Sequence, residues 1–98
     1  MNETNRELTI PLVAAGSDSS KEILRAWVVD NSLHCSLLPT AWDDPSAWGL
    51  VLADVARHVA NALHEERGLS VEDTLDSIRY MFNAEMLNPT DEAKGGFV

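Results

Sequence analysis

Arg25, Trp27 and His34 are the residues of this chain whose types most invite a binding or catalytic reading. Histidine exchanges protons near neutrality, arginine grips carboxylates, and tryptophan supplies a flat apolar wall. A second set is Asp54 and His58, four apart, with Asn61 and His64 beyond them. Such spacing on a helix suits an acid–base pair or metal ligands. However, His58 and His64 are six apart, which places them about 120° apart round a helix. The ligand set is incomplete, and an ion pair of Asp54 with Arg57 or His58 on the surface is the simpler reading. Cys35 is the only cysteine. It cannot form an intrachain disulfide or a zinc site with two or more cysteines. His34 is adjacent, but consecutive strand residues point to opposite faces, so a Cys–His nucleophile is not expected. There is no glycine-rich phosphate loop, nucleophile elbow or zinc-binding helix motif. No catalytic, cofactor-binding or metal residue is therefore assigned, and no cofactor is expected.

Two strands must position the first set. Glu22–Val29 (EILRAWVV) and Leu33–Leu38 (LHCSLL) alternate and are joined at Asp30-Asn31-Ser32. Asp and Asn tolerate the left-handed backbone of tight hairpin turns. A two-residue turn at Asp30-Asn31 pairs Val28 with Leu33, Ala26 with Cys35, and Leu24 with Leu37, an all-apolar face expected to point inward. The opposite face carries Ile23, Arg25, Trp27, Val29, His34, Ser36 and Leu38, with Trp27 directly across from His34. Of these, Ile23, Arg25, Trp27, Val29, His34 and Leu38 are the candidate interface, because aromatic and arginine residues dominate binding surfaces.

Two helices follow. Asp44 is suited to cap and Pro45 to open a helix that runs to Arg67, with Gly68 as its stop. Trp48, Leu52, Val55, Val59, Ala62 and Leu63 fall on one stripe at helical spacing. Gly49 is unfavourable there, and close backbone packing would explain it. Ser70 caps a second helix, with Val71, Leu75, Ile78, Phe82 and Met86 as its stripe and Asn88-Pro89 as its end. Trp42 is expected at the strand-to-helix junction and Trp48 in the core. Leu8–Val13 (LTIPLV) contains Pro11, which restricts it to an edge strand or extended arm. The fold expected is α+β in the order β-β-α-α: an antiparallel hairpin, with the Leu8–Val13 arm as candidate third edge strand, and two helices packed on one face. Residues 1–98 form a single small domain, with residues 1–7 and 90–98 as flexible tails.

The 98 residues carry 16 acidic and 7 basic side chains, a net charge of -9. Such a surface repels phosphate and anionic lipid, and without a Lys/Arg stripe nucleic-acid binding is not expected. No apolar run approaches the ~20 residues of a membrane span, and Met1–Glu7 is polar, unlike a signal peptide. A cytoplasmic protein is expected.

The motifs ILRAW, L-x-C-S-L and AWDDPSAWGLVLADVARHVA, within residues 22–63, resemble a family of small bacterial proteins catalogued only as a domain of unknown function. The resemblance implies a compact stand-alone bacterial protein and brings no activity, substrate or site residue. The residues themselves favour a non-enzymatic interaction or regulatory protein, acting as a homodimer through the uncovered sheet face or with a protein partner. The alternative is a small-molecule binding module or enzyme whose site forms between subunits from His34, Arg25 and Trp27.

Overall fold

The computed structural model describes residues 6–90 and the backbone of residues 94–97. A short helix α1 (Leu12–Ala15) precedes strands β1 (Leu24–Val29) and β2 (Ser32–Leu37). A 3-10 turn at Pro39–Ala41 leads to helices α2 (Ser46–Arg67) and α3 (Val71–Leu87), and strand β3 (Lys94–Phe97) follows. The class is α+β, with an antiparallel hairpin followed by two helices, as the sequence pattern implies.

The hairpin turns on Asp30 and Asn31, both with positive φ (51° and 66°). That is the primed turn whose twist matches flanking strands. It sets the register Val28 opposite Leu33, Ala26 opposite Cys35, Leu24 opposite Leu37 and Trp27 opposite His34. A further bond from Leu38 N–H to the Ile23 carbonyl (2.9 Å) extends the ladder at the base.

Three expectations are corrected. The third strand comes from the C-terminal segment, not from Leu8–Val13. β3 pairs parallel to β2, with Lys94 opposite His34 and Phe97 opposite Leu37, so β2 is central. Residues 94–97 were expected in a flexible tail, yet their backbone satisfies the edge that β2 would otherwise leave open. The parallel pairing is made feasible by the long crossover through α2 and α3. Residues 1–5 of the expected N-terminal tail, and residues 91–93 and 98 of the C-terminal one, lie outside the described residues.

In the arm, Pro11 cannot donate to a ladder, and Leu12–Ala15 instead closes one helical turn, with Ala15 N–H bonding to the Pro11 carbonyl at 2.9 Å. The inward-facing set is also split. Toward the tip, Ala26, Val28 and Leu33 are exposed, Val28 by 75%. Toward the base, Leu24, Cys35 and Leu37 are half-buried. The chain leaves the sheet at the base, so the tip projects beyond the elements that could cover it.

Both helix starts follow local rules. Pro45 has helical angles (φ -57°, ψ -24°), and the Asp44 Oδ1 accepts the Ser46 N–H at 3.0 Å. That backbone bond first, and then a hydrogen bond from the Ser46 hydroxyl, hold the Asp44 carboxyl below its ordinary 3.8. At the other end Gly68 adopts the left-handed conformation (φ 71°) and its N–H reaches the His64 carbonyl at 2.9 Å, a C-terminal cap that glycine alone forms without strain. The Ser70 Oγ accepts the Asp73 N–H at 3.2 Å, capping α3. Beyond Asn88, the Glu85 Oε1 accepts both the N–H and hydroxyl of Thr90. Trp42 and Trp48 meet edge to face at 5.6 Å and 82°, which joins the strand-to-helix connection to the first turn of α2. Trp48 is half-buried there and Trp42 is 41% exposed.

Candidate functional site

β1 carries Arg25 and Trp27 on one face, and β2 carries His34 opposite Trp27. The hairpin thus brings the sequence-derived set together. Ile23, Trp27, His34 and Leu38 are half-buried, and Val29 is 47% exposed. Arg25 is already engaged. Its Nε and Nη2 donate to the two carboxylate oxygens of Glu22 at 2.9 and 3.1 Å, and its Nη1 donates to Glu7 Oε2 at 3.1 Å. Glu22 first, and then Glu7, raise the guanidinium above its ordinary value. The pair with Glu22 is a two-pronged match of planar groups, the strongest form of such contact.

The contact with Glu7 ties the N-terminal arm alongside β1. Between arm and strand lies a cleft of about 600 Å³ lined by Glu7, Leu8, Ile10, Ile23, Arg25 and Trp27, among others. The arm does not bury its own apolar side chains on the sheet: Leu8 is 97% exposed, Leu12 89% and Val13 86%. A smaller hollow at the base of the hairpin lies between Glu22–Arg25 and Ser36–Leu38.

In the second sequence-derived set the contacts are local. Arg57 approaches Asp54 at 3.8 Å on an exposed surface. His64 Nδ1 donates to the Leu69 carbonyl at 2.9 Å, so His64 ties the α2–α3 turn. Among the described residues no three His, Cys, Asp or Glu side chains gather as metal ligands would. No helix is long and apolar enough to cross a membrane among those residues. Cys35 is a free, half-buried thiol.

Sequence reasoning missed a larger feature. Leu52, Val55 and Val59 were read as part of one apolar stripe, yet they are 45%, 47% and 41% exposed, and Phe82 and Met86 of the α3 stripe are 48% and 70% exposed. The signal was present in α2. At 100° per residue its apolar positions from Val51 to Ala60 span roughly 200°, twice the stripe that a helix with one buried side needs. α3 covers only part of that arc. Between the two helices a groove of about 350 Å³ is lined by Gly49, Leu52, Ala53, Ala56, Ile78 and Phe82, among others, with Arg57 and Arg79 at its rim. A Cβ on Gly49 would meet nothing within 4 Å, so close backbone packing within the chain does not explain this glycine.

No curated protein matches the chain. Among solved structures, one described as a "putative pyruvate dehydrogenase" from the photosynthetic bacterium Rhodopseudomonas palustrus CGA009 is similar, at a TM-score of 0.71 and 36% identity, covering 90% of each chain. A family model described as "Domain of unknown function (DUF5076)" matches residues 7–90, well beyond the segment that carries the motifs. The chain belongs to the DUF5076 family of domains of unknown function.

Proposed function

We propose that this is a non-enzymatic interaction or regulatory protein that works as a homodimer in a bacterial cytoplasm. The observation that supports this reading is burial. Among the described residues only Ala60 is fully enclosed, while large apolar side chains on the arm, the sheet tip and both helices face outward. The chain exposes 8475 Å², whereas a compact monomer of 10.8 kDa exposes roughly 5,500 Å². Its radius of gyration is 15.4 Å, against roughly 12.6 Å for a compact domain of this length. The surplus of about 2,900 Å² compares with the ~1,000–2,500 Å² that each copy contributes to an obligate homodimer. One two-fold interface of that class covers most of it. The arm shares in the surplus; the sheet face with Ile23, Arg25, Trp27, Val29, His34 and Leu38, and the tip residues Val28 and Leu33, supply candidate contact surface. A free half-buried Cys35 suits a reducing compartment.

Sedimentation at micromolar concentration tests the reading. A dimer that dissociates only on strong dilution, with loss of helical signal as it does so, is expected. A folded monomer at every concentration refutes it.

The arm–β1 cleft, lined by Arg25 and Trp27, favours a second reading, a small-molecule site built from these two with His34, which pairs with Trp27 on the neighbouring strand. The similar structure's description points to a keto acid such as pyruvate. Against this, Glu22 and Glu7 already occupy the arginine, and an anionic ligand must displace Glu7 to reach it. Calorimetry with pyruvate distinguishes the readings: binding abolished by Arg25→Ala in a chain that stays folded supports the second.

A further inference from the structure

We infer that the groove between α2 and α3 binds a monocarboxylate with an apolar tail, such as a medium-chain fatty acid, with the tail between the helices and the carboxylate at Arg57 and Arg79. This site is separate from the arm–β1 cleft and does not depend on the homodimer reading. The groove holds about 350 Å³, the size of a small-ligand pocket. Seven of the nine residues that line it are apolar or glycine, and the other two are arginines. Among the described residues no acid lines it, although the chain has 16 acidic and only 7 basic side chains. Ala56, Leu75 and Ile78 are half-buried and form its floor, whereas Gly49, Ala53 and the two arginines are exposed.

Helix geometry brings the two arginines together. Arg57 lies about 40° round α2 from Ala53, and Arg79 about 40° round α3 from Leu75, in the same rotational sense. Only Gly68–Ser70 separate the helices, and so short a connection returns α3 antiparallel to α2. In an antiparallel pair, edges of the same sense meet on one side, so both arginines flank the same edge of the groove. Each has an aspartate one turn back: Asp54 at 3.8 Å from Arg57 and Asp76 at 2.8 Å from Arg79. These pairs are exposed and engage one nitrogen of each guanidinium, and exposed pairs hold weakly. The other N–H groups can donate to a ligand carboxylate, which a guanidinium matches with two parallel bonds. The aspartates also set the ligand's charge. They leave the rim close to neutral on a chain of -9, so one negative charge is accepted while a phosphate dianion or an acidic protein surface is repelled. The tail is drawn in by the apolar floor. A Cβ on Gly49 would meet nothing within 4 Å, so this glycine, with Ala53 and Ala56, keeps the α2 side of the groove open.

The test is calorimetry of the full chain with decanoate, kept below the concentration at which it forms micelles. Binding with Kd below about 1 mM is expected. The double variant Arg57→Gln, Arg79→Gln should weaken it at least about tenfold, and Ala53→Phe, which fills the groove, should abolish it. The three positions are exposed, so circular dichroism should show both variants folded. Where Ala53→Phe fails to fold, the wild-type chain decides: a spin-labelled fatty acid should broaden the Leu75 and Ile78 methyl resonances before those of Ile23 and Leu24 in the arm–β1 cleft. The reverse order overturns the proposal. So does decanoate binding that survives the double variant and is lost in Arg25→Gln, which puts the ligand in the cleft instead. No binding by the wild-type chain also overturns it, and if Ala53→Phe then sediments as a monomer where the wild type is a dimer, a second copy covers the groove.

Discussion

Gly49 offers a substitution whose sign is set by the structure. It lies in the second turn of α2, and glycine in a helix interior is less favourable than alanine by about 1 kcal/mol, mainly through backbone entropy. Glycine would be retained if a neighbour occupied the space of a Cβ. Within the chain nothing lies within 4 Å of that position, so Gly49→Ala gains the backbone term without a clash. Unfolding entropy for 98 residues is about 0.2 kcal/mol/K, so ~1 kcal/mol raises the melting midpoint by about 5 °C. If the unfolding unit is a dimer, the gain and the entropy both double, and the shift is the same. Thermal melts followed by far-ultraviolet circular dichroism, at matched protein concentration, measure it. No shift, or a lower midpoint, would refute the reasoning. A lower midpoint would place the backbone of a second chain directly against Gly49, and Gly49→Ala would then also weaken dimerisation.

Three further outcomes follow from the caps. Ser70→Ala leaves the Asp73 N–H without its acceptor and should cost about 1 kcal/mol in urea denaturation, with Ser70→Asp restoring most of it. Gly68→Ala forces a side chain into the left-handed region at φ 71° and should cost about 1–2 kcal/mol by the same assay. For Asp44, the folded carboxyl lies below its ordinary 3.8, so its contribution is present above that pH and is lost as pH falls through the lowered folded value. The stability difference between wild type and Asp44→Ala should be constant near neutrality and narrow below about pH 4; a difference that does not narrow argues against the Ser46 bond as its source.

Local features were legible because their determinants are local. Asp30-Asn31 imposes a two-residue turn through backbone sterics, and the turn alone sets the pairing of Trp27 with His34. Asp44-Pro45, Gly68 and Ser70 mark helix ends through hydrogen bonds that span four residues or fewer. The Arg25–Glu7 pair joins residues 18 apart in sequence, and no periodicity announces it. Likewise the pairing of β3 with β2 depends on where a crossover of two helices delivers Gly95 and Gly96, residues with no side chain to signal a strand.

The amino-acid sequence by itself determined the α+β class, the element order, the hairpin register and the helix caps, since each arises from steric and hydrogen-bonding preferences of neighbouring residues. Tertiary structure alone decided which apolar positions are covered. Periodicity identifies a face that water disfavours, but it does not say what lies opposite. Leu52, Val55 and Val59 read as one apolar stripe and yet stay 45%, 47% and 41% exposed, because burial depends on which elements pack against a face and not on its periodicity.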